Sequence, residues 1–215
     1  MYSLQNKTLI IVFLGDFNPS IFQPYWYSHH GLISNDEAEK AQIKLIHPDI
    51  TDFGIDWFNI QITRDRFIIK TQQESHFDPI YDLIMGTFSL LKETPLKRMG
   101  INFEAHVKMR DENTWNNYGD KLAPKEIWKR KFNRPGLNVL QIKSDRLDEY
   151  NGYILATIKP SNELQYGVHF HINDHYELTD PNEMVDSSFL LDVFAKEKQL
   201  SVNRSIDLIN SLLEE

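Results

Sequence analysis

The sequence predicts an α+β fold: an antiparallel sheet built from two strand-rich halves, with helices packed on one face. Three observations predict it. Runs of apolar and polar residues alternating with a period of two recur in both halves of the chain, the signature of half-buried strands. Each half also carries a segment whose apolar residues recur at helical spacing. The order strand, strand, helix, strand in the first half is that of an α+β protein rather than of repeated βαβ units.

Lys7 to Phe13 reads as a first strand. The segment from Asp16 to Tyr27 follows, with Pro19, Pro24 and a cluster of aromatics, and is expected to form an extended arm over the core. Ser34 and Glu37 have the spacing of a capping box, so a short helix is expected over Asp36 to Ala41. Gln42 to Ile46 returns as a strand that stops at Pro48, and Ile55 to Ile62 and Arg66 to Thr71 form a strand pair joined at Thr63-Arg64-Asp65. Asp78-Pro79 opens a helix in which Ile80, Leu83, Ile84, Thr87, Phe88 and Leu91 share one face, and Thr94-Pro95 closes it.

Arg98 to Arg110 alternates cleanly, with Ile101, Phe103, Ala105, Val107 and Met109 inward and Asn102, Glu104, His106, Lys108 and Arg110 outward. Asp111 to Asn133 is expected to be helical, followed by a tight turn at Arg134-Pro135-Gly136. Leu137 to Lys143, Gly152 to Lys159 and Gln165 to Asn173 are the strands of the second half, the last ending in an Asn173-Asp174 turn. Two helical stretches are expected between Val185 and Leu213, the last with Ile206, Ile209, Leu212 and Leu213 as an apolar stripe. One α+β domain over residues 1–215 results, with similar halves at about 1–110 and 111–215.

Composition narrows the function classes. The 215 residues, 41% hydrophobic and 25% charged, are enough for a full core. A net charge of -8 disfavours general nucleic-acid binding, which needs a surplus of Lys and Arg. The absence of cysteine excludes disulfides, thiolate metal sites and a cysteine nucleophile, and fits a cytoplasmic protein. The run Leu9 to Leu14 is too short to span a bilayer, so no membrane association is expected. There is no Walker loop, Gly-X-Gly-X-X-Gly fingerprint, Gly-X-Ser-X-Gly elbow or His-Glu-X-X-His pair, and nothing in the sequence calls for a cofactor.

The segment Trp57 to Thr63, then Asp65-Arg66-Phe67, a helix, and Leu96-Lys97-Arg98-Met99-Gly100-Ile101-Asn102-Phe103 resembles a sporadically distributed bacterial family of uncharacterised proteins. Its members carry an Arg-hydrophobic-Gly-hydrophobic strand opening after such a helix. The resemblance covers residues 55–110; Asn102 stands where the family tends to have a basic residue, and Ala105 where it has asparagine. It implies a bacterial or phage origin and an α+β fold, and assigns no catalytic residue.

Three groups of residues are candidates for function. His169 and His171 lie two apart on one strand face, with His175, Glu177 and Asp174 beyond them, and Glu104 and His106 on another strand. The spacing suits a metal site completed by His175 and Glu177, an acid/base pair of an imidazole with Glu104, or a hydrogen-bonded polar sheet face. With Trp57, Asn59, Gln61 and Asn102 these residues would line a common surface, a groove for a small ligand. The second group is the aromatic arm, Phe22, Tyr25, Trp26 and Tyr27, residue types enriched at interface centres. The third is the cationic stretch from Lys121 to Arg134, including Lys125, Lys129 and Arg130, a contact patch for an acidic partner or a solvated helix face. Together they predict a non-catalytic interaction protein, a homo-oligomer or a subunit of a bacterial or phage assembly. The alternatives are a metal-assisted or acid/base enzyme, or a small-ligand binder, using the His/Glu-lined face.

Overall fold

A computed structural model describes residues 2–177 and 187–214. Its centre is one antiparallel sheet of nine strands in the order β2-β3-β4-β5-β1-β6-β9-β8-β7. The strands are β1 (Leu4–Gly15), β2 (Gln42–His47), β3 (Ile50–Gly54), β4 (Asn59–Thr63), β5 (Arg66–Thr71), β6 (Leu96–Lys108), β7 (Leu140–Asp145), β8 (Gly152–Pro160) and β9 (Gly167–Glu177). The helices are α1 (Pro24–His29), α2 (Asn35–Glu39), α3 (Phe77–Leu90), α4 (Glu112–Leu122), α5 (Glu126–Lys129) and α6 (Ser187–Glu214). The expected tail begins at Val185, outside the described residues; within them it is the single helix α6 rather than two stretches.

The two longest strands sit side by side at the middle. β1 pairs with β5 on one side and β6 on the other, and β6 pairs with β9 along eleven residue pairs from Arg98↔Glu177 to Lys108↔Gly167. Each central strand therefore heads a set that returns to it as a meander and ends in a helix: β1 with β2–β5 and α3, and β6 with β7–β9 and α6. The chain crosses from one set to the other between residues 91 and 95.

Alternation decides the two faces. Leu9, Ile11 and Phe13 of β1 share one face with Phe67 and Ile69 of β5, with Met99, Ile101 and Phe103 of β6, and with Phe170 and Ile172 of β9, and all are buried. Phe13 is wholly buried, edge-on to Phe88 of α3 at 5.2 Å and to Phe194 of α6 at 5.8 Å. These aromatic contacts join both long helices to the centre of the sheet, and each gains from edge-to-face geometry as well as from burial.

The capping box is present: the Ser34 hydroxyl accepts from the Glu37 N–H at 3.2 Å, and the Glu37 carboxylate accepts from the Ser34 N–H at 2.7 Å. Glu37 also accepts from the Trp57 indole at 2.8 Å, tying α2 to the chain before β4.

Four expectations are corrected. The strand predicted over Ile55 to Ile62 begins only at Asn59 as β4; residues 55–58 are the bend after a further strand, β3, which ends at Gly54. Pro48-Asp49 ends β2 but is the tip of a hairpin, with His47 paired to Ile50. The arm from Asp16 to Tyr27 is not extended, because its second proline starts α1. Asn173-Asp174 is not a turn, since β9 runs on to Glu177 and Asp174 points into the core.

That buried carboxylate anchors an ionic cluster. Asp174 pairs with Arg146 from the β7–β8 connection and with Arg204 of α6 at 3.1 Å. Arg146 also pairs with Asp148, and Arg204 with Glu197 at 2.9 Å. The Tyr176 hydroxyl donates to Glu197 at 3.0 Å, and its ring lies 3.8 Å beneath the Arg146 guanidinium. Burial works against the charge on Arg146, but Asp148 and Asp174 outweigh it and raise the group above its ordinary range. The cluster fastens β9, the β7–β8 connection and α6 together.

Candidate functional site

The strand register brings the His/Glu group together. Glu104 lies directly opposite His171, His106 opposite His169, and Asn102 opposite Asn173, all facing away from the buried aromatic face. The Glu104 carboxylate sits between two imidazoles, 3.8 Å from His169 Nε2 and 3.8 Å from His171 Nδ1. His169 holds the Glu104 carboxyl below the usual glutamate range against the opposing effect of burial, and His171 adds to this. Glu104 is thus an anion at neutral pH.

The imidazoles respond the opposite way. Burial lowers His106, His171 and His175 below their ordinary range, and for His171 it outweighs the attraction of Glu104. His171 Nε2 is 3.1 Å from Asn102 Oδ1. His106 stacks on His169 with centroids 4.4 Å apart, and its Nδ1 is 2.7 Å from Ser161 Oγ. Its Nε2 lies 3.4 Å from Glu163.

Ser161, His106 and Glu163 look like a nucleophile, a base and an orienting acid. The Ser161 hydroxyl, however, already accepts from the backbone N–H groups of Glu163 and Leu164 at 3.1 and 3.0 Å. Its lone pairs are occupied by the turn it caps, and the trio acts as a structural clasp between β6 and the β8–β9 loop.

Two polar atoms on this face lack a hydrogen-bond partner: His169 Nε2 and Asn173 Oδ1, both buried. Beside them is a groove of about 430 Å³ with Ile10, Val12 and Ile68 on its floor. Lys44, Asp52, Asn59, Gln61, Lys70, Asn102 and His171 contribute to its walls. Trp57 is not part of this surface. It stacks on His76 at 5.2 Å and donates to Glu37, as the bend before β4 directs it elsewhere.

The metal candidates do not converge. His175 is 3.7 Å from Glu177 and stacks on Tyr153 at 4.5 Å. The register places it opposite Gly100, four pairs along the strand from the Glu104–His171 pair. Among the described residues, no group of three or more His, Asp and Glu side chains is arranged to hold a metal ion.

The aromatic arm is mostly core. Phe22 and Tyr27 are fully buried, with Phe22 against Phe67 at 5.7 Å and Tyr27 against Phe53 at 6.0 Å, so neither offers a surface to a partner. Trp26 is half-buried between Phe22 and His30, and only Tyr25 stands out, 68% exposed. The arm's aromatic content comes from the space it fills above β3 and β5.

The cationic stretch differs. On and after α5, Ile127, Trp128 and Phe132 are 68%, 49% and 59% exposed, and the two rings are 6.0 Å apart. Lys129 makes only a loose 3.9 Å pair with Glu126, while Arg130 and Lys131 have no acidic partner among the described residues. Lys125 pairs with Asp120, and its side chain is largely buried. Sequence reading found the charges but missed the exposed Ile127, Trp128 and Phe132. Their spacing at i, i+1 and i+5 was a readable signal.

Comparison with protein-family models and with curated proteins finds no match for this chain. No described helix is long and apolar enough to cross a membrane.

Proposed function

We propose that this is a non-catalytic interaction protein that docks an acidic protein partner on the surface around α5. One observation carries the reading: Ile127, Trp128 and Phe132 are exposed together among Lys129, Arg130 and Lys131, on a chain whose net charge is -8. Exposed aromatics cost solubility, and Trp beside Arg is the side-chain chemistry of an interface centre. The surrounding cations would steer an acidic partner onto it. In this reading the helices gather on one face of the sheet, and the strands form the rigid frame behind the docking surface.

The test is a parallel capture from the native host with the parent protein and with Trp128→Ala/Phe132→Ala. A stoichiometric protein retained by the parent, released by added salt and absent with the variant, supports the reading. Recovery of the parent alone across growth conditions, or equal capture by the variant, refutes it.

A second reading has its own support. His169 Nε2, 3.8 Å from the Glu104 anion but without a hydrogen bond, and Asn173 Oδ1, likewise without one, suit a small polar ligand on the opposite sheet face. A fragment screen followed by imidazole NMR tests it. Shifts confined to His169 and His171 and lost in His169→Gln favour it, and unmoved resonances count against it.

A further inference from the structure

A cavity of about 220 Å³ lies between α4, residues 134–137 and the ends of β8 and β9, away from the His/Glu face and adjoining the cationic stretch, whose Lys125 and Arg134 line it. Its walls include Trp115, Tyr118 and Leu122 from α4 and Ile158 and Val168 from the sheet, with Lys125 and Arg134 among its polar groups. The Trp115 indole donates to the Gly167 carbonyl at 2.9 Å, which fixes that wall to β9.

Two features are unexplained by packing alone. The Tyr118 hydroxyl is buried and has no hydrogen-bond partner, although such a group normally finds one. Gly119 lines the cavity in the interior of α4, where glycine costs a helix roughly 1 kcal/mol relative to alanine. No crowding demands it: the nearest atom to an added Cβ would be Leu137 Cβ at 3.9 Å, an ordinary contact. What the missing side chain provides is space.

We propose that this cavity binds a small amphipathic monoanion, a carboxylate on an apolar body. The body lies among Trp115, Leu122 and Ile158, and the carboxylate accepts from the Tyr118 hydroxyl. A single negative charge fits because Lys125 is already matched by Asp120, and Lys159, opposite His169 in the register, acts on Glu104 and His171 on the other sheet face, which leaves Arg134 as the cation for the ligand, with no acidic partner among the described residues.

The probe is octanoate, titrated calorimetrically into the full chain up to about 10 mM, with octan-1-ol as the uncharged counterpart. Expected is saturable binding at one site, with octan-1-ol weaker by about tenfold or more. Gly119→Leu should fill the space, keep the circular dichroism spectrum and a Tm no lower than the parent's, and abolish octanoate binding. Tyr118→Phe, which keeps the volume, should weaken binding severalfold and serves if Gly119→Leu does not fold. Absence of saturable octanoate binding overturns the proposal. So does binding that survives the variants, and equal affinity for octan-1-ol overturns the assignment of an anion.

Discussion

Replacing Arg146 by methionine should be among the most destabilising single changes in the protein. The Arg146 and Asp174 side chains are each 1% exposed, so the substitution leaves a carboxylate in the core with its nearest cation removed. Breaking a buried pair from one side costs about 3–5 kcal/mol, because the remaining charge keeps its desolvation penalty without its partner. Arg204, 3.1 Å from Asp174, stays in place and should hold the cost to the lower half of that range. With a urea m-value of roughly 2 kcal/mol/M, a loss of about 3–4 kcal/mol lowers the unfolding midpoint by ~1.5–2 M. Arg204→Met is the internal control. Its side chain is about one-third exposed, so the contribution is discounted for solvent screening to about 1 kcal/mol. Arg146→Met/Asp174→Leu should recover most of the loss, since it removes both charges from the core. The assay is urea unfolding at pH 7 followed by far-UV circular dichroism. Equal effects of Arg146→Met and Arg204→Met, or a double variant no better than the single, would refute the reasoning.

Gly152→Ala should cost about 3 kcal/mol or more. Its φ of 141° is one that L side chains rarely adopt, and an added Cβ would lie 2.0 Å from the His175 carbonyl oxygen; a urea midpoint unchanged from the parent contradicts this. Phe13→Ala opens a hole where three aromatic rings meet and should lose about 3–5 kcal/mol, seen by calorimetry as a Tm roughly 6–20 °C lower. Acid should destabilise the fold before the carboxylates titrate. His106, His171 and His175 bind protons less readily folded than unfolded, so the stability they contribute is complete above about pH 6.5 and is lost as pH falls through that value toward their lowered folded values. Glu104 adds a further loss in the same direction below its ordinary value. Urea midpoints at pH 7.5 and 5.5 check this, and a midpoint that rises on acidification contradicts it.

What could be read from the sequence followed the length of each pattern. β6 alternates over thirteen residues and its inward set, Ile101 to Val107, is buried as the alternation requires. α3 likewise buries Ile80, Leu83, Ile84, Thr87 and Phe88 on one helical face. β3 escaped notice because Ile50–Gly54 is only five residues long, with Thr51 and Phe53 as its inward pair, too few to establish a period. Asp174 was misread because Asn-Asp is ordinary turn chemistry, whereas its partners Arg146 and Arg204 come from segments about thirty residues away on either side. A local pattern does not contain such a pairing. For the site, alternation placed Glu104, His106, His169 and His171 on outward faces, and the register then showed them to be neighbours. The aromatic arm shows the opposite case: Phe22 and Tyr27 were legible as aromatic, but their burial depends on β3 and β5 beneath them.

The pairing of β1 with β6 governs how the chain must be made. β5 is complete at Thr71, whereas β6 is complete only at Lys108, so during synthesis the first five strands can assemble with one side of β1 still bare. At ~5–20 residues per second that interval lasts about two to seven seconds. The bare side offers Leu9 to Leu14 an unfilled ladder, and the β6 of another copy matches it in register as well as the chain's own does. Strand exchange between neighbouring chains on one message is therefore the characteristic misassembly of this topology. The seam that holds the finished sheet together is also the place where two unfinished copies become entangled.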